Sequence, residues 1–176
     1  MVDIARRRLF TRAPKAEIVT EAPQRSPWLV GEQAFVDGCT RCGKCIEACE
    51  TSIIIKGEAG FPEVDFHVDE CTFCGRCAEV CPEPLFQPKE QEPWQQVAVI
   101  GSNCLSLNGV ECRSCGDMCE YAAIKFRLQL GGTAKPMLNE KDCTGCGACI
   151  KPCPANAIQM KRDTSIKTGN ADELSR

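Results

Sequence analysis

Sixteen cysteines in 176 residues, gathered in four groups, constrain this chain more than any hydrophobic pattern in it. Cys39, Cys42, Cys45 and Cys49 spell C-x-x-C-x-x-C-x-x-x-C; so do Cys71, Cys74, Cys77 and Cys81, and again Cys143, Cys146, Cys149 and Cys153. The third group in chain order is stretched: seven residues separate Cys104 from Cys112, after which Cys115 and Cys119 resume the spacing. Sliding the chain by 70 residues lays Cys42, Cys45 and Cys49 on Cys112, Cys115 and Cys119, and with them Glu50 on Glu120 and Ile54 on Ile124. A two-group unit repeated in this way reads as an internal duplication.

Disulfides, structural zinc and iron–sulfur clusters compete to explain so many cysteines. Structural zinc takes two C-x-x-C pairs separated by a dozen residues or more, which uninterrupted four-cysteine runs fit poorly. Disulfides need an oxidising compartment. Arg6, Arg7 and Arg8 before Leu9 and Phe10 superficially resemble a twin-arginine export signal, but residues 11–27 offer neither an apolar core nor a small-residue cleavage site. The expectation is a chain that stays in the reducing cytoplasm.

Clusters fit the runs. A 4Fe-4S cubane takes four thiolates; a tight run supplies three, and in the bacterial two-cluster arrangement the last cysteine of each run ligates the other run's cluster. By that rule Cys39, Cys42 and Cys45 share a cluster with Cys81, and Cys71, Cys74 and Cys77 share one with Cys49. Likewise Cys143, Cys146 and Cys149 take Cys119, and Cys104, Cys112 and Cys115 take Cys153. Gly43, Gly75 and Gly147 follow the second cysteine of their runs, where close backbone approach lets amides point at sulfur. Pro82 and Pro154 follow the last cysteine, whereas Glu50 and Glu120 stand there in the first and third groups. The third group carries Gly116 after its third cysteine instead, so of up to four clusters its own is the one the spacing leaves open.

The fold expected is α+β: two tandem ferredoxin-like units of the bacterial two-cluster type, with short hairpins and short helices around the clusters. Ile53 to Ile55 with Val64, Phe66 and Val68 predict one hairpin, and Ile124, Phe126, Leu128 and Leu130 with Met137 and Leu138 predict the other. The Gln-, Glu- and Pro-rich stretch 87–96 reads as a connection. The expected divisions are a flexible basic tail over 1–26, a first unit over 27–90, a second over 91–160 and a flexible tail over 161–176. His67 falls on the polar phase of its strand and reads as exposed rather than as a ligand. Trp28 and Trp94, each beside a proline, read as cover for the units more readily than as anchors for a partner.

The longest apolar candidate, Val97 to Ile100, is far too short to span a membrane. A formal charge of −3 gives no argument for nucleic acid. With sixteen thiolates bound to four oxidised cubanes the charge falls to about −11, which favours positively charged partner surfaces. No paired carboxylates, activated nucleophile or phosphate loop marks a substrate site, so the chain reads as an electron-transfer protein rather than an enzyme.

The order of the groups, the stretched CLSLNGVECRSCGDMCE, and the segments CTRCGKCIEACE and CTFCGRCAEVCPEPLFQP resemble the ferredoxin-type accessory proteins of bacterial periplasmic nitrate reductase. The resemblance implies a cytoplasmic protein that acts on the reductase's catalytic subunit before export, in assembly or reductive maturation of that subunit's iron–sulfur cluster. It carries over the sixteen cysteines as cluster ligands, with an electron donor as a further partner class. A general electron carrier or electron-transfer subunit of an oxidoreductase is the first alternative, and a binding chaperone shaped by its clusters the second.

Overall fold

The computed structural model describes residues 23–162. The expected tails fall mostly outside that range, but their inner ends are packed. The carbonyl of Gln24 accepts from the Val64 amide at 2.8 Å. Arg25 donates to the Pro62 carbonyl at 2.9 Å and lies 4.7 Å over the Phe35 ring, and Arg162 donates to the Gln24 side chain at 3.1 Å.

Regular elements are short. Helix α1 spans Glu32–Gly38, and α2 (Lys44–Glu47), α3 (Arg76–Glu79) and α4 (Ser114–Asp117) are single turns, each inside a cysteine group. Strand β1 (Ile54–Lys56) pairs antiparallel with β2 (Pro62–Val64), and β4 (Ile124–Gln129) with β5 (Gly132–Leu138). Both hairpins lie between two cysteine groups, where alternation placed them. The second turns at Gly131, whose φ of 72° suits glycine. The first stops early: the sequence pattern extends the strand to Val68, but β2 ends at Val64. The Asp65 carboxylate accepts the His67 amide at 2.9 Å, a local turn that competes with the ladder. His67 is exposed there, in a turn and not on a strand.

Periodicity missed a third ribbon. Strand β3 (Gln96–Ile100) runs antiparallel to β6 (Ile158–Arg162), with Ala98 opposite Met160. Its counterpart in the first half shrinks to one bridge, Leu29 to Phe86. Pro27 precedes one side, and Pro84 and Pro88 flank the other; without their amide hydrogens the ladder cannot lengthen.

The core is continuous through both halves. Ile53, Ile54, Val64, Phe66 and Cys77 from the first half pack in one cluster with Ala98, Cys115, Ile124, Cys149, Ile150 and Ile158 from the second. Phe35, Phe61 and Leu85 form a smaller cluster beside Cys39 and Cys81. The stretch read as a connection is put to use: Trp94 meets both Phe66 and Phe73 at 5.8 Å, edge to face. Its indole donates to the Thr144 carbonyl at 3.2 Å. Trp28 is buried and donates to the Gln91 carbonyl at 2.9 Å.

Candidate metal centre

Three of the four cysteine runs wrap a one-turn helix, the run from Cys143 to Cys153 forming turns instead, and in the first two runs the glycine after the second cysteine sets the entry. Gly43 and Gly75 cap α2 and α3 at φ 78° and 76°, and Gly147 takes 87°. The residue before the second cysteine is also left-handed: Arg41, Phe73 and Gly145 at 57°, 55° and 72°. Alternating left- and right-handed residues turn successive amides inward, a concavity suited to anionic sulfur. Two of these left-handed positions are not glycine and carry no signal in composition. In the third group Arg113 precedes α4 at φ −134°, so no glycine is needed there.

The runs close on one another in the crossed sense. One cavity is lined by Cys39, Cys42 and Cys45 together with Cys81. A second is lined by Cys71, Cys74 and Cys77 together with Cys49, and a third by Cys104, Cys112 and Cys115 together with Cys153. The stretched group is therefore as complete as the others. For the remaining set, Cys146 is held above the ordinary thiol range by burial, with Glu70 and Cys119 adding to the effect. Cys149 is pushed up to about 12 by burial and by Cys146, Cys143 and Cys115.

Burial dominates elsewhere too. It pushes Cys45 up to about 11, reinforced by Cys39, Cys42 and Cys81, and Cys115 to about 11, reinforced by Cys104, Cys153 and Cys112. Cys71 and Cys77 rise to about 12. Thiols gathered in a place that resists their ionisation need a cation to become thiolates together. Hydrogen bonds favour the ionised sulfur at the rim: the Lys44 amide lowers Cys42, which is exposed, and the Ala157 amide donates to Cys153 Sγ at 3.2 Å.

The donor sets discriminate between the competing chemistries. All sixteen cysteines are free thiols. Among the described residues no three His, Cys, Asp or Glu side chains converge closely enough for a single metal ion; sulfurs on a tetrahedral zinc stand about 3.8 Å apart. Sulfurs set around a space, with amides aimed at them, fit the corners of an inorganic cube.

Glu50 and Glu120, where proline follows in the other groups, face solvent; Glu50 accepts from Thr72 Oγ1 at 2.6 Å, tying the first group to the second. Among the described residues no helix is long and apolar enough to cross a membrane.

The fold and its cysteines define a protein of multiple 4Fe-4S clusters. The 4Fe-4S dicluster domain family matches twice, over residues 38–84 and 110–157. The chain is 54% identical over 136 residues to the ferredoxin-type protein NapF of Haemophilus influenzae, covering 77% of each. It is 48% identical over 134 residues to NapF of Escherichia coli K12, covering 76% of this chain and 82% of that one. The ferredoxin-type protein NapG of Escherichia coli K12 is more distant, 29% identical over 150 residues. This chain belongs to the NapF family of ferredoxin-type proteins.

Proposed function

We propose that this chain is a cytoplasmic 4Fe-4S polyferredoxin that serves maturation of the catalytic subunit of periplasmic nitrate reductase, before that subunit is exported. The observation that carries the reading is the pairing of crossed cysteine cavities with NapF relatives matched over most of their length. The ligands are the sixteen cysteines in the crossed scheme, and the two units divide near residues 90 and 91. When bound, the clusters supply one-electron chemistry. The chain's own residues exclude water from sulfur and hold amides against it, which sets how readily an electron is accepted. Neither the sequence nor the cavities offers a catalytic pair, so the chain acts by delivering electrons or iron–sulfur units to a partner rather than by turning over a substrate.

A general carrier is the second reading, and the exposed Cys42 favours it, since an exposed rim admits many partners. One experiment separates the two. Holo-protein prepared without oxygen is mixed with the reductase catalytic subunit still bearing its export signal, and binding is followed by co-purification. In parallel, nitrate reductase activity is measured in cells lacking the chain. The proposal expects a complex with the precursor and an activity loss that the intact gene restores. Fast reduction of unrelated acceptors, with no precursor complex and no activity loss, assigns the chain to general electron transfer instead.

A further inference from the structure

A tandem duplication guarantees two pairs of cysteine quartets, but nothing in it requires the pairs to touch. Here they do. The Cys71 amide donates to the Cys146 carbonyl at 2.8 Å, which puts a cysteine loop of the first half directly on one of the second. Lys151 and Asp69 pair across the same junction at 2.9 Å. Gly147, at φ +87°, lies so close under Phe66 that a Cβ there would stand inside the ring. The close approach therefore depends on the residue beside Cys146 having no side chain.

Within each half the quartets also adjoin. Helix α2, which carries Cys45, packs on α3, which carries Cys77. Cys115 and Cys149 belong to one buried cluster, and that cluster includes Cys77, with Cys45, Cys71, Cys119 and Cys153 packed against it.

We infer that the four quartets form one line, and that the Cys71–Cys146 contact joins the two halves into a single path for one electron at a time. The order is Cys39, Cys42, Cys45 and Cys81; then Cys49, Cys71, Cys74 and Cys77; then Cys119, Cys143, Cys146 and Cys149; then Cys104, Cys112, Cys115 and Cys153. The inference rests on the cluster reading proposed above. Clusters held by these quartets would supply one-electron chemistry, each junction passing one electron from a reduced cluster to its oxidised neighbour with no bond formed or broken. The electron comes from a low-potential one-electron donor and leaves to a one-electron acceptor. At one end Cys42 is exposed between Arg41 and Lys44; at the other, the inserted loop beside Cys112 presents Leu107 and Val110. Donor and acceptor can thus occupy different surfaces, with Cys74 a further exposed point along the way.

Magnetic coupling between reduced clusters reports adjacency independently of any partner. The protein is purified without oxygen, its iron and acid-labile sulfide are counted, and it is reduced with dithionite for paramagnetic resonance. A chain carrying both Cys42→Ala and Cys112→Ala loses the two end clusters and keeps the middle pair, one from each half. The line expects that pair to show dipolar broadening and fast relaxation, and a spectrum equal to the sum of two isolated signals overturns it. Should that variant fail to retain two clusters, Cys74→Ala decides the matter. Breaking the line at its second member should release the first cluster as a narrow, uncoupled signal while the last two stay coupled. Retained broadening of the first signal refutes the order. Loaded but magnetically isolated clusters sink the line alone; absence of acid-labile sulfide sinks the cluster reading itself.

Discussion

Cys81 lies just beyond α3, inside the second run, yet lines the cavity of the first. Replacing it with alanine leaves Cys39, Cys42 and Cys45 as three thiolates around a cluster that takes four. We expect Cys81→Ala to lose that cluster, lowering iron and sulfide by about a quarter of a four-cluster total. The signal of the cluster held by Cys71, Cys74 and Cys77 should persist. Iron analysis with resonance spectroscopy checks this, and loss confined to the Cys71 set would overturn the crossed assignment. The cysteine groups and the glycines beside them were legible because each is a residue type chosen by its chemistry. The left-handed Ser52, Ala122 and Asn156, each three residues after the last cysteine of a run, were not. A residue with a Cβ adopts that conformation at a cost of about 1–2 kcal/mol, and only its surroundings hold it there.

At the scale of elements, the insertion that distinguishes the third group folds back on the β4–β5 hairpin. Ser106 is 1% exposed; its hydroxyl donates to the Ala134 carbonyl, and Thr133 Oγ1 donates to the Ser106 carbonyl at 3.0 Å. The pairing of β4 with β5 slips between Arg127 and Gln129, opposite this contact, so Ser106 supplies a donor where the ladder skips. Asn108 closes the loop by donating to the Ser102 and Cys104 carbonyls at 2.7 and 2.8 Å. Leaving a buried carbonyl short of its donor costs about 1–3 kcal/mol. Ser106→Ala should therefore destabilise the protein by that order, and the cluster of Cys104, Cys112, Cys115 and Cys153 should bleach first on heating. Calorimetry with iron retention tests it; an unchanged melting temperature would mean that the loop is anchored by other contacts. The hairpins were legible because alternation and a glycine turn are local. The β3–β6 ribbon was not, since its strands lie on either side of two cysteine groups and each alone is five residues. Leu128 and Leu130 kept the strand alternation but are 77% and 107% exposed, because the hairpin tip extends past anything it could pack on.

For the molecule as a whole, little of the secondary structure can stand on its own. Isolated helices need about 12–15 residues to persist in water, and the longest among the described residues has seven. Each ribbon has two strands, a marginal arrangement unless something packs on it. What packs on them includes the cysteines: Cys77, Cys104, Cys115 and Cys149 are buried core residues. In the proposed crossed scheme each run is tied to its partner by ligation, and the shared core of Ile53, Phe66, Ile124 and Ile150 ties the two halves together. Because a preformed site rarely survives without its metal, ligation energy here is folding energy. Removing iron with a chelator under mild oxidation should therefore abolish far-UV dichroism and protease resistance together with cluster absorbance. Both halves should go in one transition, because the core that joins them has lost its sulfur-bound scaffold. Parallel traces of absorbance and dichroism decide the point. A bleached chain that keeps its dichroism and resists proteolysis would show that the aliphatic core suffices, and that the cysteines occupy the fold rather than hold it.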